Sequence, residues 1–496
     1  MRRIKPGSAK ERYRLLLAAM IGISLSIFIT SLPLFPGQAH AATVASGTCG
    51  AQGANLTWVL TGDGTLTVSG TGKMADYVDD WPEDDIFHDA PWNPFAPQVK
   101  TIVIGDSVTS IGELAFASDG IGVNTVVIGR SVTSIGRSAF SGSDRLKSVT
   151  FPDSLQVIGR YAFASCKALT SVTFGGSLKT IGSEAFLHCD SLESVDLGNS
   201  VESIGRSAFS WCKSLKAISF PDSLKTIGTD AFGLCENLKT VTFGNSLVAI
   251  GEDAFSQCAS IKALIIPDSV KTIGPHAFWM CKSLTSVKLG KGISAIEPGV
   301  FHGCRMLKEV TVPRNVKAIG WSAFEGCKGL KKAVIPSSVK KIGKDAFRGC
   351  KGLEALTIPG SVTKIGGGAF RGCDKLKALT VPRSVKDIGK NAFPAHKGFK
   401  LKVYQGSFAQ KYAWSNWTPH ATIAKVTFDA NKGTTPKASK TATVGKKYGP
   451  LPKPVREGYT FKGWYTKKGG GTKVTSNTVM RDAESHSLHA RWSKKK

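Results

Sequence analysis

The sequence lacks the short motifs that accompany common enzyme chemistries. It contains no G-x-S-x-G, no H-E-x-x-H, no phosphate-binding G-x-x-x-x-G-K-[ST] and no G-x-G-x-x-G dinucleotide fingerprint. The nine histidines are scattered, and the close pair His486 and His489 has no cluster of further ligands near it in the sequence. These absences predict a protein that is not an enzyme and has no catalytic residues, no metal site and no cofactor.

The sequence has a single long apolar run, in residues 15–35. The basic segment MRRIKPGSAKERYR precedes it, and Ala39-His40-Ala41 follows it. This order predicts a secretory signal peptide, residues 1–41, that is cleaved after Ala41. Because the run is long enough to cross a bilayer, an uncleaved anchor is the alternative. We expect an exported chain with no membrane span in its mature form.

Acidic side chains are few, with 36 Asp and Glu against 65 Lys and Arg. The excess of basic side chains is confined to certain segments of the chain. Residues 42–100 are acidic, at net −6, and residues 101–301 are balanced. Residues 302–423 carry 23 basic and 6 acidic side chains, net +17, and residues 424–496 carry 17 and 4, net +13. Positively charged surfaces of this kind attract polyanions and speed their association with the protein. Nucleic acid is disfavoured as the main partner because stacking aromatics do not alternate with these lysines.

What the sequence has in abundance is one repeated pattern, I-G-x-x-A-F. Its phenylalanine recurs after 24 residues and then at every 23, at Phe116, Phe140, Phe163, Phe186, Phe209, Phe232, Phe255, Phe278, Phe301, Phe324, Phe347, Phe370 and Phe393. No single copy has enough apolar surface to form a core, so the copies must stack as a solenoid.

Each copy divides into four short pieces. "LTSVTF" (169–174) predicts a short strand, and "PDS" a turn. "KTIG" (179–182) predicts a second extended piece, whose glycine we expect to adopt positive φ. About one helical turn carrying Ala and Phe should complete the copy. The glycine is replaced by Glu297 in one copy, where we predict an altered turn.

The full pattern C-x-x-L-x-x-V-x-x-P-x-S-V-x-x-I-G-x-x-A-F, found from Val99 to Phe393, resembles the BspA-type leucine-rich repeat of bacterial surface proteins. The resemblance implies a right-handed leucine-rich-repeat coil of thirteen repeats, made of short parallel strands and helical turns, in residues 99–404. It also implies attachment to host extracellular-matrix proteins or to other bacteria.

A cysteine follows the phenylalanine by three residues in ten consecutive copies, from Cys166 to Cys373. A metal site is disfavoured, because metals are held by converging ligands and single stacked thiols do not converge. Disulfides between adjacent copies remain an alternative, although stacked Cβ atoms are further apart than a disulfide prefers. The favoured interpretation is a column of buried free thiols that act as small apolar side chains.

The segments outside the repeats predict caps and a further module. Residues 42–98 should form an N-terminal β cap with a hairpin at Leu56–Gly70, followed by an acidic segment that we expect to be a solvated loop rather than a Ca²⁺ site. Ser407 predicts the start of a capping helix, Phe408 to about Trp417, within a linker at 405–423. The run GYTFKGWYT in residues 424–493 resembles the Listeria–Bacteroides (internalin B-type) repeat, which implies a β-grasp-like module. Residues 494–496 form a basic tail.

Two surfaces are predicted to bind partners. Basic rows should form where equivalent positions stack, at Lys308, Lys331, Lys332, Lys340, Lys341, Lys344, Arg348 and Lys351. A concave strand face should carry Ser171, Thr173, Ser194, Asp196, Ala217 and Ser219. We expect a monomeric adhesin or scaffold on the bacterial surface or secreted from it, which binds host matrix protein or another macromolecule. The alternative function is retention on anionic wall polymers through the basic half, and lysines that only confer solubility are the simplest alternative.

Overall fold

The computed structural model describes residues 41–77, 90–117, 122–416 and 418–495. Residues 1–40, on which the signal-peptide prediction rests, lie outside this part of the chain, as does most of the acidic segment. Asp76 is described, and its Oδ1 accepts a hydrogen bond from the Glu113 N–H at 2.8 Å, so this carboxylate is bonded to the first repeat. No helix in the described ranges is both long enough and apolar enough to cross a bilayer.

The N-terminal segment begins the main sheet. Strands β1 (Thr43–Gly50), β2 (Gly53–Thr61) and β3 (Thr65–Gly70) are antiparallel neighbours, which confirms the predicted hairpin. Strand β4 (Gly72–Lys73) follows, and a 3₁₀ helix spans Asn93–Gln98. β3 pairs in parallel with the first strand of the repeats, so the hairpin supplies a template on which the following coils stack.

From there two kinds of short strand alternate along the chain. The first seven coils contain β5 (Thr101–Ile104), β6 (Val108–Ile111), β7 (Thr125–Val127), β8 (Ser134–Ile135), β9 (Ser148–Thr150), β10 (Val157–Ile158), β11 (Ser171–Thr173), β12 (Thr180–Ile181), β13 (Ser194–Asp196), β14 (Ser203–Ile204), β15 (Ala217–Ser219), β16 (Thr226–Ile227), β17 (Thr240–Thr242) and β18 (Ala249–Ile250). The later coils contain β19 (Ala263–Ile265), β20 (Thr272–Ile273), β21 (Ser286–Lys288), β22 (Ala295–Ile296), β23 (Glu309–Thr311), β24 (Ala318–Ile319), β25 (Lys332–Val334), β26 (Lys341–Ile342), β27 (Lys364–Ile365), β28 (Ala378–Thr380) and β29 (Asp387–Ile388).

These strands form two parallel ladders, which make the chain a β-solenoid. The first ladder runs from β3 through the odd-numbered strands to β17 and resumes from β19 to β25. The second ladder runs from β4 through the even-numbered strands to β20 and resumes from β22 to β29. Residues one period apart are register partners, such as Val172 and Val195, so each position of the repeat becomes a row along the stack.

The side of the coil between the second ladder and the next first-ladder strand, here called the turn side, differs from the prediction. It contains hydrogen-bonded turns rather than a helical turn, because two positions in most coils have positive φ. In one coil these are Glu184 (φ 60°) and His188 (φ 58°). Their N–H groups donate to the carbonyl oxygens of Arg206 and Ser210 in the next coil, so the turns also form a ladder.

The repeat glycine was predicted to need positive φ, and that prediction is wrong. Gly274, for example, does not have positive φ. A Cβ at this position would lie 2.4 Å from the backbone nitrogen of Glu252 in the preceding coil. Glycine is required here because two backbones approach closely, which is the other structural use of a missing side chain.

Glu297 stands in this row, and the second ladder is interrupted there, between β20 and β22. Its Cβ prevents the approach that glycine permits in the neighbouring coils. The turn itself persists, since the His276 N–H still donates to the Pro298 carbonyl oxygen at 2.9 Å. The prediction of an altered turn is therefore wrong, and this coil differs from its neighbours in the strand pairing before the turn.

The repeat phenylalanines form one stacked column through the core. Phe186 and Phe209 are typical, with ring centroids 5.1 Å apart and planes within 2° of parallel. Trp92 lies 24 residues before Phe116 and stacks on it at 5.0 Å, so the N-terminal segment extends the column by one coil. Each buried phenylalanine contributes about 1.5–3 kcal/mol by burial, and neighbouring rings add about 0.5–1.5 kcal/mol.

The C-terminal end is covered by a short helix and continues into the last module. Helix α1 spans Phe408–Ser415, two residues shorter than predicted, and Ser407 caps it by accepting from the Gln410 N–H. β30 (Lys400–Tyr404) pairs with β28 on one side and β31 (His420–Asp429) on the other. The sheet then includes β32 (Ser439–Thr443), β33 (Tyr459–Tyr465), β34 (Lys473–Val474) and β35 (His486–Lys494).

This last module has its own small core around Trp464 and Phe428, whose ring centroids are 4.9 Å apart. It is a mixed sheet in which β31 pairs in parallel with β35, and residues 418–495 contain no helix. The β-grasp-like architecture implied by the resemblance stays a prediction, since the helix of such a fold is not present in this range.

Candidate functional surfaces

The cysteine column belongs to the core rather than to a reactive site. All ten thiols are buried and none of them forms a disulfide, as the packing interpretation predicted. Each Sγ donates to the carbonyl oxygen of the phenylalanine one coil earlier, as Cys258 does to Phe232 at 3.1 Å. Burial raises the pKa of the Cys373 thiol to about 12, so little of the nucleophilic thiolate exists near neutral pH.

The six residues predicted on the strand face are brought together by the first ladder. Ser171, Ser194 and Ala217 are register partners in one row, and Thr173 and Asp196 are partners in the next. All are exposed, while the residue between them in each strand is buried. Together with Ser219 they form a continuous exposed surface of small polar side chains, here called the first-ladder polar face.

The eight predicted basic residues are all exposed, but the structure distributes them over three sides of the coil. Lys308, Lys331 and Lys332 lie at the first ladder, and Lys340 and Lys341 lie at the second, with Lys344 directly after it at the start of the turn side. Arg348 and Lys351 lie on the turn side. They therefore form separate rows rather than one patch.

Arg348 and Lys351 are already paired with carboxylates. Arg348 lies 3.6 Å from Glu325 and 3.8 Å from Asp345, and Lys351 lies 3.8 Å from Asp374. Such exposed pairs contribute little stability, but they lower the positive potential that an anion would meet. These two residues are the weakest members of the predicted set.

The densest group of lysines lies along the second ladder and includes members that the prediction did not name. This second-ladder basic surface consists of Lys317, Lys340, Lys341, Lys344, Lys364, Lys386 and Lys390. Lys341 and Lys364 are register partners, and both line a cavity of about 400 Å³ together with Lys344. Among the described residues, only Lys364 of this group forms an ion pair, with Asp387 at 2.8 Å.

Two lysines of the same rows are paired with carboxylates in the first half of the solenoid, whereas Lys225 and Lys271, in the slot of Lys340, form no ion pair with a described residue. Lys179 occupies the slot of Lys340 and pairs with Glu202, one coil later, at 3.0 Å. Lys216, in the slot of Lys331, pairs with Glu193. Lysines stacked beside lysines repel one another, which stabilises neither the coil nor its stacking. The unpaired rows of the second half are thus not explained by coil stability.

The first-ladder polar face carries no aromatic side chain among the six residues that define it, whereas the turn side carries tryptophans. Trp321 is 51% exposed, and its ring contacts His276 edge-on, with centroids 5.5 Å apart. Trp211 stacks on His188 at 5.0 Å and is covered by the Lys213 ammonium at 4.9 Å. The 23-residue period could have shown that these residues share one side of the coil, but the prediction considered only strands and charges.

The comparisons with known proteins agree with this architecture. The family model described as the BspA type leucine rich repeat region matches residues 95–216, 202–331 and 281–402, and the Listeria-Bacteroides repeat domain model matches residues 425–491. Neither description names a catalytic domain. No curated protein matches the chain.

Several solved structures are similar. A leucine-rich repeat protein from Bacteroides ovatus is 31% identical, with 74% of this chain and 97% of that chain covered and a TM-score of 0.58. A leucine rich cell surface protein from Faecalibacterium prausnitzii is 24% identical over 77% and 99%, with a TM-score of 0.38. The pneumococcal vaccine antigen PcpA is 18% identical over 76% and 97%, with a TM-score of 0.41.

The first of these structures supports the leucine-rich-repeat fold. Matches to the repeat model span residues 95–402, well over half of the chain. Both matched repeat types are typical of bacterial surface proteins. The chain belongs to the BspA-type leucine-rich repeat family and carries a Listeria–Bacteroides repeat domain at its C-terminal end.

Proposed function

We propose that this protein is an exported, non-catalytic adhesin or scaffold that binds a macromolecule, such as a host extracellular-matrix protein, through the first-ladder polar face. The observation that carries the proposal is the continuous exposed surface formed by the rows Ser171–Ser194–Ala217 and Thr173–Asp196. Broad protein partners suit such a surface better than small ligands, which need a concave pocket.

The stacked core makes that surface rigid before any partner arrives. The strands that carry it are bonded on both sides, and the buried residue between each exposed pair anchors the strand to the core. A preorganised face loses little conformational entropy on binding, so weak polar contacts over several coils can add up to useful affinity. The family's occurrence on bacterial surfaces supports a partner outside the cell.

A second function is favoured by a different observation, the second-ladder basic surface. Lys317, Lys340 and Lys341 form no ion pair with any described residue, and the row of Lys341 carries no charged side chain in the coils from Thr180 to Ala318. We propose that this surface retains the protein on anionic wall polymers. The two functions are compatible, because the surfaces belong to different sides of the coil and to different halves of the stack.

The test compares three forms of the mature protein, residues 42–496, for retention on a panel of matrix proteins and on purified wall polymer. The first variant, Ser194→Arg with Asp196→Arg, places bulky charges on the first-ladder polar face. The second, Lys317→Gln with Lys340→Gln and Lys341→Gln, neutralises the basic surface and keeps polar side chains that are only one bond shorter.

The affinity of the first variant for a matrix partner should fall at least tenfold, while its retention on the wall polymer should be unchanged. The second variant should lose its retention on the wall polymer and bind the matrix partner as the wild type does. Screened charges carry the polymer contact, so it should weaken steeply between low and moderate salt, whereas the matrix contact should persist. If the wild-type protein is retained by neither ligand, both proposed functions fail.

A further inference from the structure

The turn side brings together three side chains that are typical ligands of transition metals. Glu252 and Asp253 belong to one coil and His276 to the next, and one potential ligand atom from each lies within 4.8 Å of the other two. Asp253 and His276 are 23 residues apart, so they occupy the same repeat position in adjacent coils. The structure assigns this cluster as a Zn²⁺ site, which we propose although the sequence predicted no metal site.

The backbone that carries two of these ligands is fixed on both sides. Asp253 and His276 have φ of 52° and 55°, and their N–H groups donate to the carbonyl oxygens of Pro275 and Pro298 at 3.0 and 2.9 Å. The ligands therefore project from a bonded ladder rather than from a free loop. Such a scaffold holds the donors near one another before the ion arrives.

The imidazole of His276 is seated by a local departure from the repeat. Gly299 occupies the next position of the same row, and a Cβ there would lie 2.1 Å from His276 Cδ2 and 2.5 Å from Nε2. Trp321, one coil further, contacts the same ring edge-on. The ring is thus held by packing, and it forms no hydrogen bond or ion pair with a described residue.

Neighbouring polar groups in these rows already have partners of their own, and within the cluster Asp253 accepts a side-chain hydrogen bond from Ser256. Asp230, one coil before Asp253 in the row, accepts from the hydroxyls of Ser207 and Ser210 at 3.3 and 3.2 Å. His302 lies 3.7 Å from Glu325 in the following coil. The Asp253 carboxyl is partly buried, and desolvation raises its pKa, while the nearby His276 acts in the opposite direction.

The donor set favours Zn²⁺ over Ca²⁺ or Mg²⁺. Zinc accepts imidazole nitrogen and carboxylate oxygen at about 2.0–2.2 Å, so three donors around a tetrahedral ion lie about 3.4 Å apart. Small rotations of the two exposed or half-exposed carboxylate side chains close the difference from the present separations. Calcium and magnesium prefer oxygen alone and more ligands than three. The fourth position would be left for water or for a donor from a bound macromolecule.

The test uses the mature protein, stripped with chelator and then titrated with Zn²⁺ by calorimetry and with Co²⁺ by visible absorption. The wild type should bind one more equivalent of Zn²⁺ than His276→Gln and should show the absorption of four-coordinate Co²⁺, which His276→Gln lacks. His188→Gln is the matched control, because His188 lies on the same side with similar φ and pairs with Asp190 at 3.9 Å without a third ligand.

A second pair of variants separates the site from general damage. Gly299→Ala leaves all three ligands in place but drives a Cβ into the His276 ring, and should weaken Zn²⁺ binding at least tenfold. Gly326→Ala introduces the same strain, at φ 70°, but its Cβ meets no atom closer than 3.7 Å, so it should bind as the wild type does.

Equal zinc stoichiometry in the wild type and His276→Gln would overturn the proposal. So would a cobalt spectrum that survives in His276→Gln, or binding of Ca²⁺ at this cluster in preference to Zn²⁺.

Discussion

The thiol of Cys189 donates a hydrogen bond to the carbonyl oxygen of Phe163, in the preceding coil, at 3.2 Å. Ten cysteines repeat this contact along the stack, from Cys166 bonded to Phe140 to Cys373 bonded to Phe347. The cysteine therefore does two things at this position. It fills a small apolar space, and it satisfies a backbone acceptor that faces the core.

The thiols should accordingly be free and protected. Unreduced protein that is denatured should titrate with eleven thiols, the ten of the column and Cys49. The folded protein should react with very few of them, because burial blocks access to all of them and raises the pKa of thiols such as Cys189 and Cys281. A count near zero or one after denaturation would show that the column is oxidised.

Removing one of these thiols should leave a small cavity in the core and so lower the stability of the surrounding coils. Cys258→Ala should lower the stability of its coils by about 1–2 kcal/mol, since it removes a buried atom from a close-packed core. Cys258→Ser leaves a similar small cavity but keeps a donor, and a stronger one, for the same bond, so it should differ from the alanine variant. Thermal unfolding followed by circular dichroism measures both, and an alanine variant as stable as the wild type would contradict the packing role.

Glu297 interrupts the second ladder, and glycine should repair it. Glu297→Gly should slow hydrogen exchange at the amides of residues 294–297, because the backbone can then approach β20. Glu297→Ala is the control, since it removes the charge but keeps the Cβ that holds the strands apart. Equal protection in both variants would show that charge, not close approach, breaks the ladder.

Trp92 should close the N-terminal end of the core. Its ring stacks on Phe116, and its Nε1 donates to the Ala115 carbonyl oxygen at 2.8 Å. Trp92→Ala should destabilise the first coils by about 3–5 kcal/mol, as large aromatic truncations do. Trp92→Phe keeps the stack and loses only the bond, so it should cost less. Hydrogen exchange resolved by segment would show the loss confined to the first coils, whereas a uniform loss would contradict a capping role.

The C-terminal module should lose stability in acid through Asp429. The Asn431 N–H, His489 and Lys468 together hold the pKa of this carboxyl near 2, below its ordinary 3.8. A depressed pKa in the folded state stabilises the module above about pH 4, and this contribution disappears as pH falls towards 2. Asp429→Asn should therefore be less stable than the wild type near neutral pH, and the difference should shrink below pH 4. A constant difference would exclude this ionisation as the cause.

Much of the fold followed from the sequence because the repeat is strict. The period of Phe116 to Phe393, the alternation in each strand and the cysteine slot all reflect one buried circuit, and burial leaves a clear pattern. The geometry of the turns did not follow, because residues as different as Glu184 and His188 adopt positive φ there. Their conformation is imposed by bonds to the next coil, which local sequence does not encode.

The surfaces were harder to predict than the core. Lys340 and Arg348 belong to one coil and look alike in the sequence, yet one is unpaired among described residues and the other lies beside two carboxylates. Only the arrangement of neighbouring coils separates them. The cluster of Glu252, Asp253 and His276 was accessible in principle, because the 23-residue period alone places Asp253 beside His276.

The proposed binding face can be tested directly by labelling, since the native thiols are buried. Ser194→Cys places one reactive thiol on the first-ladder polar face, and Lys340→Cys places one on the second-ladder basic surface. The measurement is the rate of maleimide labelling of each, with and without a saturating matrix partner. The partner should slow labelling at Ser194→Cys at least tenfold and leave Lys340→Cys unchanged. Labelling of Ser194→Cys at the free rate while the partner is bound would contradict the assignment of the binding face.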